Sequence, residues 1–111
     1  MEPSEMNILF ICSRNLWRSR TAETIFKGNQ QHNIRSAGTA ENARIKVNRK
    51  LIDWADIIFA MEKRHKQMLK ERFATSIQPK KIVVLDIEDR YQYMDEELIE
   101  ILRVSVSPYL Q

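Results

Sequence analysis

Residues Asn7-Ile8-Leu9-Phe10-Ile11-Cys12 form an apolar run without alternation, the pattern of a strand buried on both faces of a parallel sheet. Beyond a short polar stretch, Ala22, Ile25 and Phe26 recur at helical spacing, and Gly28-Asn29 supplies a C-terminal stop. Ile34 to Gly38 reads as a short second strand, and Val47, Leu51 and Ile52 predict a helix ending near Trp54. Ile57 to Met61 is a third strand; the helix after it would bury His65, Met68, Leu69 and Phe73 along one stripe. Thr75 to Pro79 interrupts that pattern, and Lys81 to Ile87 is a β-branched fourth strand. The last helix starts at Asp95, a good N-cap, with Glu96 and Glu97 in its first turn and Met94 and Ile99 spaced as a hydrophobic staple. Four alternations of strand and helix predict an α/β three-layer sandwich, in which a four-stranded parallel sheet carries helices on both faces with right-handed crossovers. Such sheets bind ligands beyond the C-terminal ends of their strands, near a switch in strand order. Cys12 falls at such an end.

The chain has 111 residues, of which 43% are hydrophobic and 30% charged, and this is the balance of one globular domain, here spanning 1–111. Its apolar runs fall far short of the ~20 residues that cross a bilayer. The acidic start, Met1 to Glu5, leads into a run too short for a secretory signal, so a cytoplasmic protein with no membrane partner is expected. Residues 1–55 hold 9 Lys+Arg against 5 Asp+Glu, and residues 56–111 hold 9 against 10. The first half is therefore the anion-facing half. Its basic residues are not gathered in a long run, and no zinc-finger or RNP-type aromatic motif accompanies them, so nucleic acid is not an expected partner. A single cysteine forms no internal disulfide and no multi-thiolate zinc site. Cys12 is either buried filler or a reactive group.

The residues that follow it favour reactivity. Ser13, Arg14, Asn15, Leu16 and Trp17 separate Cys12 from Arg18 and Ser19, giving Cys-x5-Arg-Ser between a strand and a helix. A connection of this length curls so that successive backbone N–H groups face one centre, and the helix N-terminus adds its unpaired N–H groups and partial positive charge. The result is a cradle for a tetrahedral dianion. Arg18 can grip two phosphate oxygens through parallel hydrogen bonds, Ser19 can hydrogen-bond the sulfur, and the same field favours the thiolate. The competing reading is a buried cysteine at a strand end beside surface arginines. Cleavage of an aryl ester also needs a proton for the leaving oxygen, and Asp86, Glu88 and Asp89 are candidate donors. Trp17, Tyr91 and Tyr93 are candidate walls for an aromatic ring or, equally, packing residues, with packing favoured for Tyr93. His65 reads as a satisfied histidine on a buried stripe, and His32 carries no signal.

With these residues in place, the chain resembles the low-molecular-weight protein tyrosine phosphatase family over nearly its whole length. Cys12, Asn15, Arg18 and Ser19 match the family's Cys-x5-Arg-Ser loop with Asn at its third position, and Ala22-Glu23 follows as in the family. Ser36-Ala37-Gly38-Thr39 matches a Ser-Ala-Gly-Thr whose serine supports the loop Asn. Met61-Glu62 is similar to its Met-Asp, and Asp89-Arg90-Tyr91 to its Asp-Pro-Tyr acid loop. The resemblance implies a phosphotyrosine protein phosphatase I-like fold and metal-independent hydrolysis of phosphomonoesters through a phosphocysteine, without a cofactor. Cys12 would be the nucleophile, Arg18 the phosphate clamp and Asp89 the acid. Residues Ser13 to Ser19 would form the phosphate-binding loop, supported by Asn15, Ser19, Ser36 and Glu62, with Trp17 and Tyr91 as substrate walls. The substrate would be a phosphorylated protein or a small aryl phosphate. Four positions depart from the family: Arg14 replaces Gly, Trp17 the usual second Cys, Arg20 a Pro and Arg90 a Pro. Arg90 is expected to loosen the acid loop. Two alternatives remain open, a phosphoryl-binding module without turnover and an arsenate reductase-like protein that would need an external thiol.

Overall fold

The computed structural model describes residues 5–28 and 31–110. Four strands, β1 (Asn7–Cys12), β2 (Asn33–Gly38), β3 (Ile57–Ala60) and β4 (Lys81–Val84), form one sheet in the order β2-β1-β3-β4. Every pairing is parallel, as predicted. The unbroken apolar run of β1 follows from its central place. Ile8, Phe10 and Cys12 face a core shared with α1 (Arg18–Phe26) and α5 (Glu96–Val106), whereas Leu9 and Ile11 face a core shared with α2 (Arg49–Trp54), α3 (Lys63–Arg72) and α4 (Ala74–Ile77). Successive side chains of a strand point to opposite faces, so a strand buried on both sides cannot alternate. Leu98, Leu102 and Val106 of α5 are fully buried at helical spacing, and each such side chain is worth roughly 1.5–3 kcal/mol of burial.

The differences from expectation are local. The segment Thr75–Pro79, expected to break the pattern, holds most of the one-turn helix α4. Val47 is buried ahead of α2, beside the bridge that joins Lys46 to Gly38. The helix itself starts after Asn48, whose side chain accepts from Leu51 N–H. α1 stops at Phe26, and Asn29 of the expected stop signal lies outside the described residues. β4 ends at Val84 instead of Ile87, because Asp86 takes a left-handed φ of 56°. The amides of Leu85 and Ile87 still donate to the carbonyls of Ala60 and Met61. Asp95 caps α5 as predicted, accepting from the N–H groups of Glu97 and Leu98. His32 is buried: its Nδ1 accepts from Met6 N–H at 3.1 Å, and its Nε2 donates to the Leu110 carbonyl at 3.2 Å. It ties both ends of the described chain to the start of β2. Among the described residues no helix is long and apolar enough to cross a membrane.

In this strand order β1 connects to β2 on one side, after which the chain crosses to β3 on the other. The switch point therefore opens at the C-terminal end of β1, where Cys12 pairs in register with Gly38.

Candidate active site

Cys12 ends β1 with 3% of its surface exposed, and the loop Ser13–Trp17 wraps its sulfur before α1 begins at Arg18. The loop turns at Asn15, whose φ of 59° lies in the left-handed region that Asn tolerates better than most residues. That turn aims the Asn15 N–H at Cys12 Sγ, 3.3 Å away. The amides of Arg14, Leu16, Trp17 and Arg18 have no protein acceptor among the described residues, and Trp17 provides no side-chain cap for α1. Backbone donors near a folded core normally find a partner, so a loop that leaves several free beside a helix N-terminus is built for an anion.

A relay of side chains fixes the loop from behind. Ser36 on β2 donates to the Glu23 carboxylate on α1, which commits its proton and leaves its lone pair to accept from Asn15 Nδ2 at 2.9 Å. The second Asn15 Nδ2 proton goes to Ser19 Oγ at 2.7 Å, and Ser19 Oγ lies 2.9 Å from Cys12 Sγ. The Ser19 hydroxyl keeps its own proton to give, and two acceptors face it, Cys12 Sγ at 2.9 Å and the Ala37 carbonyl at 3.4 Å, with the sulfur the nearer. A donor to sulfur stabilises thiolate over thiol. Asn15 Oδ1 is buried with no hydrogen-bond partner among the described residues, which costs roughly 1–3 kcal/mol. Arg44 adds a clamp, its Nε donating to the Asn15 carbonyl at 3.0 Å and its backbone N–H to the Arg14 carbonyl at 2.9 Å. Gly38 is required because a Cβ there would overlap the Ser13 carbonyl and crowd Ala43 and Arg14.

Arg18 is 2% exposed and links three segments. Its Nη1 donates to Glu62 Oε2 at 2.6 Å and to the Ile87 carbonyl at 2.8 Å. The opposite edge of the guanidinium, Nε with Nη2, is the fork left to grip two oxygens of a ligand. Asp89 Oδ1 lies 3.7 Å from Nε on that edge. Burial pushes the Glu62 carboxyl up, but hydrogen bonds from Arg64 and Arg18 outweigh it and hold it below the usual carboxylate range. Glu62 also caps α3 reciprocally with His65: the Glu62 side chain accepts from the His65 N–H, and the Glu62 N–H donates to His65 Nδ1 at 3.1 Å. His65 Nε2 therefore carries the ring proton and donates to Ser13 Oγ at 2.9 Å. Burial first, then the charges of Arg18 and Arg64, lowers the His65 pKa to about 4, so the ring is neutral near pH 7.

This has a consequence for stability. A histidine whose folded pKa lies below its unfolded value of about 6.5 binds its proton more readily in the unfolded chain, so stability rises with pH between the two values. Unfolding of the parent at pH 7 and pH 4.5 should show a loss on acidification that is about 1–3 kcal/mol smaller in His65→Gln. An equal loss in both proteins would contradict the buried neutral ring.

The structure separates the three candidate acids. A cavity of about 40 Å³ is lined by Cys12, Ser13, Arg14, Leu16, Trp17, Arg18 and Asp89. Asp86 and Glu88 line a different hollow with Glu62, Lys63 and Arg64, and Glu88 is bonded to Arg90. Of the two expected walls, Trp17 is 39% exposed and borders the cavity. Tyr91 is not a wall in this structure. It is 5% exposed within the α1–α5 core, donates its hydroxyl to Glu97 Oε2 at 2.6 Å, and has the Arg90 guanidinium 4.5 Å above its ring. Arg90 also bonds Glu88 and Glu97, as exposed ion pairs between the acid loop and the start of α5. Tyr93 packs on α1, bonded to Thr24 Oγ1 and covered by Arg20.

The sequence reading did not assign roles to Glu23, Arg44 or the His65–Ser13 contact. Glu62 and His65 do not match the Ser/Thr-x-x-Glu/Gln pattern by which a capping box is read from sequence, and Arg44, reaching back from an irregular loop, left no signal either.

No protein-family model matches the chain, and no curated protein matches it. Comparison with solved structures shows that the chain has the fold of the low-molecular-weight protein tyrosine phosphatases. Wzb of Vibrio vulnificus, solved with benzylphosphonate, is similar at 20% identity and TM-score 0.74 over 94% of this chain and 96% of its own. The low molecular weight protein tyrosine phosphatase SP-PTP of Streptococcus pyogenes is similar at 17% and 0.73, over 95% and 91%. A variant of the YwlE arginine phosphatase, with a phosphorylated serine in place of its active-site cysteine, is similar at 24% and 0.71, over 95% of each chain.

Proposed function

We propose that this protein is a metal-independent phosphomonoester hydrolase of the tyrosine phosphatase type that works through a phosphocysteine. One observation carries the reading: Cys12, the loop bearing the free amides, the open edge of Arg18 and the carboxyl group of Asp89 converge on a single small cavity. The phosphoryl group of a phosphorylated protein or small aryl phosphate would enter it, its oxygens taking the loop amides and the Nε–Nη2 fork of Arg18. Asp89, now on that edge, would give way to the oxygens and face the leaving group.

In the first step the Cys12 thiolate attacks phosphorus, the S–P bond forms as the P–O ester bond breaks, and Asp89 passes its proton to the leaving oxygen. In the second, water attacks phosphorus and gives a proton to the Asp89 carboxylate. The S–P bond then breaks, releasing inorganic phosphate and restoring the thiolate. Covalent phosphorylation of the active-site serine in the arginine phosphatase variant supports such an intermediate, and benzylphosphonate bound to Wzb supports a phosphoryl-type ligand. Since amides and Arg18 do the work of an electrophilic metal, nitrophenyl phosphate should be hydrolysed at the same rate with and without EDTA. Turnover that EDTA abolishes and a divalent cation restores would overturn the assignment.

A further inference from the structure

Arg14 stands at the rim of the cavity, two residues from the sulfur, and its environment differs from that of the other arginines nearby. Arg18 and Arg64 share Glu62, Arg90 is held by Glu88 and Glu97, and Arg44 bonds the Asn15 carbonyl. The Arg14 side chain is exposed, lines the cavity and has no hydrogen bond, ion pair or ring contact among the described residues. Its backbone, by contrast, is fixed from two sides, with the carbonyl accepting from Arg44 N–H and the carbon packed under Gly38. The position is set while the guanidinium stays free. A charged fork kept unpaired beside a phosphoryl site has no structural partner to lose, so its interaction energy is available to a ligand.

Resting on the phosphatase reading, we infer that Arg14 is a specificity-determining residue that recruits phosphopeptides carrying a second anionic group next to the phosphorylated residue. That group is a carboxylate or a second phosphate, and Arg14 would take it in a bidentate contact while Arg18 holds the phosphoryl group to be cleaved. The buried Arg18 cannot serve both, because its Nη1 is committed to Glu62 and Ile87.

The test uses the Cys12→Ser protein, which binds without completing turnover, and phosphotyrosine peptides of one length whose flanking residues are acidic, neutral or lysine, plus one with a neighbouring phosphoserine. Affinity should rank acidic and doubly phosphorylated above neutral above lysine-flanked, with roughly a 3- to 10-fold step from neutral to acidic that shrinks as salt is raised. Adding Arg14→Gln should collapse the ranking, and Arg14→Lys should keep the order with a smaller step, because a point charge replaces a fork. A phosphoserine peptide that alone exceeds the neutral one identifies phosphate as the second group; a carboxylate peptide that does so identifies an acidic sequence. Equal affinities in the parent background, or a ranking that survives Arg14→Gln, would overturn the inference. If the protein with Cys12 intact still hydrolyses nitrophenyl phosphate in that case, only the role of Arg14 falls. If neither binding nor hydrolysis is seen, the phosphatase reading falls with it.

Discussion

Cys12→Ser is expected to lower aryl phosphate hydrolysis by at least about 10³-fold while leaving the unfolding transition in place. The sulfur sits between the Ser19 hydroxyl and the Asn15 N–H, both of which stabilise a negative charge and neither of which takes up a proton. A thiolate needs no more. A serine hydroxyl must lose its proton to a base as it attacks, and among the described residues no base is placed to receive it. The imidazole of His65 is committed on both ring nitrogens, to Ser13 and to the Glu62 N–H, and in the proposed mechanism Asp89 would give a proton in the first step instead of taking one. The change is nearly isosteric, so thermal unfolding should shift little. Steady-state hydrolysis of nitrophenyl phosphate measures the effect, and a rate near that of the parent would remove Cys12 from the chemistry.

Asp89→Asn should produce the second large effect, and its size should depend on the leaving group. Asp89 is half exposed at the cavity mouth and, among the three neighbouring acids, is the one that lines the cavity with Cys12. General acid catalysis contributes typically about 10²- to 10⁴-fold when the leaving oxygen is basic. Phosphotyrosine turnover should therefore fall by roughly that factor in Asp89→Asn, whereas nitrophenyl phosphate, whose leaving oxygen hardly needs a proton, should fall far less. Equal losses on the two substrates would reject Asp89 as the leaving-group acid.

Much of this architecture was legible because it depends on short-range pattern. The apolar runs Ile8 to Cys12 and Ile57 to Met61 announce strands buried on both faces, and the Asp95-Glu96-Glu97 start of the last helix follows from capping chemistry and the helix dipole. The spacing of Cys12, Arg18 and Ser19 likewise carries its own chemical reason. What escaped depends on where distant segments meet. Tyr91 follows Asp89 closely in sequence, yet its ring lies in the α1–α5 core with its hydroxyl on Glu97 of α5, a placement that no local pattern records. The Glu23–Ser36–Asn15–Ser19 relay draws on α1, β2 and the loop, and exists only because β2 pairs with β1 in the register that places Phe10 opposite Ser36. The ion pair of Arg90 with Glu97 likewise depends on where in space α5 starts, which no local pattern records.

Rapid acid quenching during turnover of an aryl phosphate, followed by mass spectrometry of the proteolysed chain, tests the central claim most directly. The account predicts a phosphoryl group on the sulfur of Cys12, accumulating most in Asp89→Asn, where hydrolysis of the intermediate lacks its base. Sustained turnover with Cys12 unmodified at every quench time, or with the phosphoryl group on another residue, would contradict it.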